Sequence, residues 1–402
     1  MAQAQSYTLT ELEAQFLQKN TQVIASKYAV DKADALIVQE KLWQNPTLSL
    51  SEVNLWKTYN IETQPHLFGQ YGTAQQIAVE LEQVIETAGK RKKRVVIKQL
   101  EKQSVVLEYE ELMRELKKEL RMAYYSLQRS QQLEEQLQQT LALFTQLNVQ
   151  YERQAQAQNI AKSDYLRVQT ELLQLQKESV SLENDKYEAI QLMRILTHNL
   201  DLELHQIVFP QTSIQPQGWD FQNLAAEAKT QNILLKKQQN EMALAFSQLK
   251  LEQSHRVPNL AVQMNYDRGG NIMSDFIGFA VSMDLPIFNR NKGNIKAAEL
   301  AIDQQKAQFQ TVDNELEKRI LNLKQQLERL EKSLSNWNTQ NITDQKQILE
   351  NYRKHLQNKQ VTLMEFIDFS SAQREANQAY FELLETYHKT KEELQYIIGK
   401  DI

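Results

Sequence analysis

Along most of the chain apolar residues recur three or four positions apart, as in Ile190, Met193, Leu196 and Leu200, or Tyr380, Leu384, Tyr387, Leu394 and Ile398. That spacing predicts amphipathic helices packed along one stripe, with their other faces in water. Two segments change period. In "PNLAVQMNYDRGG", Leu260, Val262, Met264 and Tyr266 alternate with Ala261, Gln263, Asn265 and Asp267. After the Gly269-Gly270 turn, Ile277, Phe279, Val281, Met283 and Leu285 alternate with Gly278, Ala280, Ser282 and Asp284. Period two on both sides of a Gly-rich turn predicts a β-hairpin with one apolar and one polar face.

An earlier segment repeats the pattern less cleanly. Leu48 and Leu50, then Val53 and Leu55, change phase as at a bulge, while Ile77, Val79 and Leu81 alternate with Ala78, Glu80 and Glu82. The aromatics Trp56, Tyr59, Phe68 and Tyr71 gather towards its loop.

Helix-breaking residues are sparse and clustered: 9 Gly and 6 Pro in 402 residues, with none between Gly89 and Pro210 or between Gly293 and Gly399. Each of these two spans predicts a pair of long helices with one reversal, the first near Ala157 to Asp164 and the second near Asn358 to Phe366. A helix from Gly89 to about Gln158 would be about 100 Å long at 1.5 Å per residue. Pro46 opens the first hairpin as Pro258 opens the second, and Gly89 closes the first as Gly293 closes the second, so the chain reads as an internal duplication. The expected segments are an N-terminal helix over 1–45, a first hairpin over 46–89, a long helical hairpin over 90–200 and a linker over 201–219. The second copy then has a helix over 220–257, a hairpin over 258–288 and a helical hairpin over 289–402.

Four strands of about ten residues cannot close a barrel. If the apolar face meets lipid, every backbone group must pair within a closed sheet, so several chains must share one barrel, and strands of this length suit a tilted membrane crossing. The alternative is a small sandwich capping a soluble helical bundle.

Composition narrows these readings little. The mean hydropathy of −0.59 fits long helices, and the net charge of −5 gives no overall reason to expect nucleic acid as a partner. With no Cys, disulfides, thiolate zinc sites and cysteine nucleophiles are excluded. No window reaches the roughly 18 apolar residues of a transmembrane helix. No apolar signal-peptide core is present either, and the start "MAQAQSYTLTELEAQ" reads as a mature N-terminus behind a new initiator Met. The six histidines, His66, His198, His205, His255, His355 and His388, lack the helical spacing of a metal pair, and no phosphate loop or nucleophile motif occurs. No enzyme, cofactor or metal site is expected.

The run "VPNLAVQMNYDRGG" with "IGFAVSMDLPIFNRNKGNIKAAE" resembles the second hairpin and following helix of the TolC-like outer membrane factors, especially their heavy-metal efflux branch. "NPTLSLSEVN", "IETAGKRKKRV" and the C-terminal "NKQVTLMEFIDFSSAQREANQAYFELLETYHKTKEELQYIIG" resemble the family's first strand, hairpin exit and last helix. The resemblance covers nearly the whole chain, with both repeats in order. It implies a mainly α fold with a small β part, duplicated as helix, β-hairpin and long helical hairpin. It further implies a homotrimer whose twelve strands form one outer-membrane barrel continued by a periplasmic helical barrel. As partners it implies a periplasmic adaptor (membrane fusion) protein, an inner-membrane RND pump and outer-membrane lipid, in a passive exit duct opened by an iris-like movement of the helical tips. Heavy-metal cations are the expected substrate, with drugs or other small molecules, or a type I secretion role, as alternatives within the family. A soluble coiled-coil scaffold is the alternative outside it.

Site expectations follow the same matching. Gln158 and Lys359 stand where the family commonly has a turn glycine, beside Asn159, Ser163, Asp164 and Thr362, and these residues make the tip turns and adaptor contacts. Glu365 and Asp368 share a helix face, and in the family the matching acids line the narrow end of the pore. Either they form an acidic gate ring or they are a solvated face. Leu260, Val262, Met264, Tyr266, Ile277, Phe279, Val281 and Met283 are expected towards lipid. The run Lys90, Arg91, Lys92, Lys93 and Arg94, with Arg290 and Lys292 in the other repeat, reads as a basic collar near lipid head groups, or else as a solvated helix start.

Overall fold

A computed structural model describes residues 6–56, 66, 69, 75–210, 218–269, 273, 275–336 and 340–401, with the side chains of 340–347 and 349 excepted. Tyr59, Phe68, Tyr71 and Gly270 lie outside the described residues. The chain divides into two compact units, one made of Tyr28–Leu107 and Lys237–Gln310, the other of the remaining segments.

In chain order the elements are α1 (Leu9–Lys19), α2 (Thr21–Glu40), β1 (Thr47–Asn54), β2 (Gln76–Ile85), α3 (Lys90–Gln156) and α4 (Lys162–Thr197). After a short 3₁₀ turn come α5 (Phe221–Gln231), α6 (Ile233–Ser254), β3 (Leu260–Asp267) and β4 (Phe276–Met283), then α7 (Lys292–Ser335), α8 (Gln340–Gln357) and α9 (Leu363–Ile398). The fold is mainly helical with one small sheet, and the two halves repeat the same order.

The sheet belongs to the first unit. Its order is β1-β2-β3-β4 with every pair antiparallel, so β1 and β4 are edges. The register slips between Ser51 and Asn54, and Glu52 takes a positive φ of 51°. This is the bulge that the phase change between Leu50 and Val53 predicts.

In the other unit the core is built from α1, α3 and α4. Leu12, Phe16, Leu120, Leu127, Met193 and Leu202 are wholly buried there.

Two helices are shorter than expected for the same reason. The helix over 1–45 is broken at Asn20, and the one over 220–257 at Asn232. Each asparagine sits in an extended conformation between two helices, with φ −65° and ψ 118° at Asn20 and φ −60° and ψ 127° at Asn232. The Asn20 Oδ1 accepts from the Gln22 and Val23 N–H groups at 3.0 Å, and the Asn232 Oδ1 accepts from Leu235 N–H at 2.8 Å, so each side chain starts a new helix. The expected single rise from 289 to the second turn is likewise two helices, α7 ending at Ser335 and α8 starting at Gln340. Residues 337–339 lie outside the described residues.

The C-terminus of α9 is fixed by Gly399, at φ 85°. A Cβ there would come within 2.4 Å of the Gln231 carbonyl oxygen, so both the left-handed backbone and the close approach require glycine.

Candidate functional site: a two-faced sheet and two helical turns

The pairings Leu260↔Met283, Val262↔Val281, Met264↔Phe279 and Tyr266↔Ile277 put all eight of the strand residues singled out above on one face. The face extends through Leu81 and Val79 on β2 to Leu48 and Leu50 on β1. Much of this apolar surface is open: Phe279 is 77% exposed, Leu50 66% and Val281 65%. An exposed apolar patch on this scale marks a surface made to be covered by lipid or protein. Gln83 alone interrupts it, opposite Val262, and its amide donates to the main-chain oxygens of Gln44 and Val84.

The same register makes the reverse face acidic. Glu80, Glu82 and Asp267 lie there with Ser49, Gln263 and Asn265, and no Lys or Arg shares that face within the four strands. Gln263 Nε2 donates to Glu82 Oε2 at 2.6 Å. The alternation predicts a polar face without fixing its sign, although "AVELEQV", with acids at Glu80 and Glu82, carries that signal.

Of the residues expected as a basic collar, Lys90 and Arg94 are engaged within the protein. Lys90 is 4% exposed, and its ammonium donates to the Val257 carbonyl at 2.6 Å and to Asn259 Oδ1 at 2.5 Å. Burial pushes its pKa down, while Glu86 pulls the other way. Arg94 forms a fork on Glu86 at 2.6 and 2.8 Å and reaches Glu40 at 2.5 Å, which raises its pKa. Lys93 donates to the Ala88 carbonyl, and the Arg91 guanidinium lies 4.0 Å from the Trp43 ring centroid. Lys92, Arg290 and Lys292 are exposed. A long basic side chain in a row of five meets partners from distant segments, and only the fold brings those partners near.

Both helical reversals close in the same way. Asn159 N–H donates to Gln154 O and Gln158 N–H to Ala155 O, and in the second repeat Gln360 N–H donates to His355 O and Lys359 N–H to Leu356 O. These are Schellman motifs, and their left-handed residues are Gln158 (φ 58°) and Lys359 (φ 57°). The left-handed position of each turn thus carries a long side chain in place of the glycine that its backbone favours.

The starts of the following helices differ. Thr362 Oγ1 accepts from Glu365 N–H at 3.3 Å while the Glu365 carboxylate accepts from Thr362 N–H at 2.7 Å, a complete capping box. The Thr362 N–H, then its hydroxyl, hold the Glu365 pKa below the usual carboxylate range. At the matching place Ala161 has no side chain to cap α4. Asn159, Ser163 and Asp368 are exposed, and Asp164 is half-buried.

Two ion networks tie the helical unit together. Arg121 contacts Glu13 at 2.5 Å, Glu392 at 2.8 Å and Asp401 at 3.2 Å. Burial alone would lower its pKa, but Glu13 and Glu392 outweigh burial and raise it. Arg374 joins Glu171 at 2.8 Å and Glu178 at 3.1 Å. His388 stacks on Tyr125 with ring centroids 4.4 Å apart, and burial lowers its pKa to about 4. No group of three His, Asp or Glu among the described residues is placed to hold a metal ion. No helix among them is long and apolar enough to cross a membrane.

No protein-family model matches the chain, and no curated protein is similar to it in sequence. Solved structures are similar in fold. CusC, described in terms of folding and transmembrane channel formation, superposes with a TM-score of 0.76 at 15% identity, covering 98% of this chain and 92% of its own. The outer membrane channel CmeC of Campylobacter jejuni gives 0.74 at 13% identity over 97% and 85%. The outer membrane protein VceC of Vibrio cholerae gives 0.75 at 14% identity over 98% and 96%. The two-faced sheet, the paired helical turns and this nearly end-to-end superposition together show that the chain has the fold of these outer-membrane channel proteins.

Proposed function

We propose that the chain is one third of an outer-membrane exit duct in a tripartite RND-type efflux system. The observation that carries this reading is the sheet. It exposes one contiguous apolar face and leaves the edge strands β1 and β4 without further partners among the described residues. An edge strand with open N–H and C=O groups cannot sit in lipid, so the sheet needs neighbours on both sides. Three copies, edge to edge, supply twelve strands and close a barrel with its apolar face on lipid and its acidic face on a wet lumen. The fold likeness to outer-membrane channels supports the same arrangement.

The duct is passive, with energy coming from the pump, and the tip turns at Gln158, Asn159, Ser163, Asp164, Lys359 and Thr362 dock the adaptor. Cations, heavy-metal ions among them, are the favoured substrate class, because Glu80, Glu82 and Asp267 face the lumen without a basic neighbour on the strands. At the tip, Asp368 and the ionised Glu365 form a second acidic ring, which the capping box keeps charged. Arg91, Lys92, Arg290 and Lys292 contribute what remains of the basic collar at the head groups.

Fractionation tests the reading. Recovery from washed outer membranes, only with detergent and as a trimer by light scattering, is expected. Recovery in the aqueous phase as a monomer or dimer contradicts it and favours a soluble scaffold.

A further inference from the structure

The contact between α3 and α9 is aromatic at two places, with a cluster of buried polar atoms between them. On one side Phe144 and Phe366 pack with ring centroids 5.8 Å apart, both fully buried. On the other, Tyr125 stacks on His388. Between these aromatic layers buried Leu133 and Leu137 meet a cluster of polar side chains. Asn377 is 7% exposed and Ser370 3%, yet Asn377 Oδ1 and Ser370 Oγ have no hydrogen-bond partner among the described residues. Neither do Gln136 Oε1 on α3 and Gln373 Oε1 on α9. All four residues line one small cavity of about 30 Å³, which Glu178 and Arg374 also border.

Leaving four buried polar oxygens unpaired would cost about 1–3 kcal/mol each. The groups that need partners are acceptors, apart from the rotatable Ser370 hydroxyl, so the occupant must donate hydrogen bonds or be a cation. Arg374, the cation bordering the cavity, is already committed to Glu171 and Glu178, and its positive charge opposes a bound cation. Water meets every requirement: a polar cavity of this size holds one or two molecules, and each needs two to four polar partners.

We infer that this cavity is a hydration site, and that the wet layer between the Phe144–Phe366 and Tyr125–His388 layers is where α9 shifts against α3. Water-bridged contacts exchange partners at low cost, whereas interlocked apolar side chains have discrete arrangements. The hydration is independent of the duct reading. Its use in opening the tip rests on that reading.

Hydrogen–deuterium exchange on the purified full-length protein separates the two. The helical amides of 130–140 and 370–377 are expected to exchange at least several-fold faster than those of 141–147 and 381–388. Asn377→Leu, matched in heavy-atom number and branching and unable to hold water, is expected to slow the fast group towards its neighbours. A wild-type profile that is uniform across the three layers overturns the inference even if the variant fails to fold, and protection that appears with sodium but not with choline overturns it in favour of a cation. If hydration stands, single-channel recordings test its use. Fewer openings for Asn377→Leu, with Gln378→Leu on the exposed side of α9 unchanged, support the shift; equal opening of Asn377→Leu and wild type overturns it. A protein that forms no channel at all, with the exchange pattern intact, removes the duct reading and with it the shift, and leaves the hydration site standing.

Discussion

Asn232 donates its amide Nδ2 to the carbonyl oxygen of Ile397 at 2.6 Å, and its counterpart in the first repeat, Asn20, donates to Leu196 at 3.0 Å. In each repeat one buried asparagine ends a helix, starts the next and satisfies a carbonyl in the last turn of the long returning helix. The internal duplication is thus kept in hydrogen bonds as well as in element order.

Replacing either asparagine by Ala removes a helix cap and leaves a buried carbonyl unpaired, with an expected cost of about 2–3 kcal/mol at each site. Asp in its place retains the cap but sets a buried carboxylate oxygen against the Ile397 carbonyl, so Asn232→Asp should be at least as destabilised as Asn232→Ala. Denaturant midpoints measured above pH 7 check the order. Equal stability of all three forms would mean that the Ile397 contact contributes nothing.

Gly399→Ala combines a left-handed penalty of about 1–2 kcal/mol with a clash against the Gln231 main chain. Because the obstructing atom is backbone, the C-terminal turn of α9 must shift. The expected result is a lower thermal midpoint and faster amide exchange in 394–398, with β-sheet circular dichroism unchanged.

The two helical turns close by the same backbone bonds but differ at the cap of the helix that follows, Ala161 against Thr362, which makes the two caps a matched pair. Thr362→Ala should cost about 1 kcal/mol, and Ala161→Thr should gain a similar or smaller amount. Gln158→Gly and Lys359→Gly relieve a left-handed residue that favours glycine, and each should be neutral to stabilising by about 1 kcal/mol. Limited proteolysis at the tips reports all four changes, and faster cleavage of the glycine variants would argue against relief of strain.

His388 should make stability fall in mild acid. Its pKa is lowered in the folded state to about 4 by burial, with Lys391 adding to the effect, against an ordinary 6.5. Between these values the unfolded chain binds more protons, so the contribution is complete above pH 6.5 and is lost as pH falls towards 4. The full span is worth on the order of 3 kcal/mol. His388→Phe, which keeps a ring against Tyr125, should flatten the pH dependence of the thermal midpoint between pH 5 and 7.5. An unchanged slope would assign the acid sensitivity to the carboxylates around Arg121.

What was legible in the sequence is what depends on period. Leu260 to Tyr266 and Ile277 to Met283 alternate without error because every second residue of a strand shares a face, and the pairing register needs no further information. The bulge near Glu52 was legible as a phase change. The breaks at Asn20 and Asn232 were not, because neither neighbourhood holds Gly or Pro and the deciding acceptors, Leu196 and Ile397, are far along the chain. Gln158 and Lys359 are poor left-handed residues by type, so the resemblance located the turns and the side chains argued against it. Lys90 and Arg94 read as free charge until the fold brings Val257, Glu86 and Glu40 to them.

The central claim is that the acidic face of the sheet lines a conducting lumen. Reversal potentials of single channels in planar bilayers under a potassium chloride gradient test it most directly. A clear preference for potassium over chloride is expected, reduced several-fold in Glu80→Gln/Glu82→Gln with conductance retained. A protein that forms no channel, or one whose selectivity is the same with and without these two carboxylates, would contradict the account.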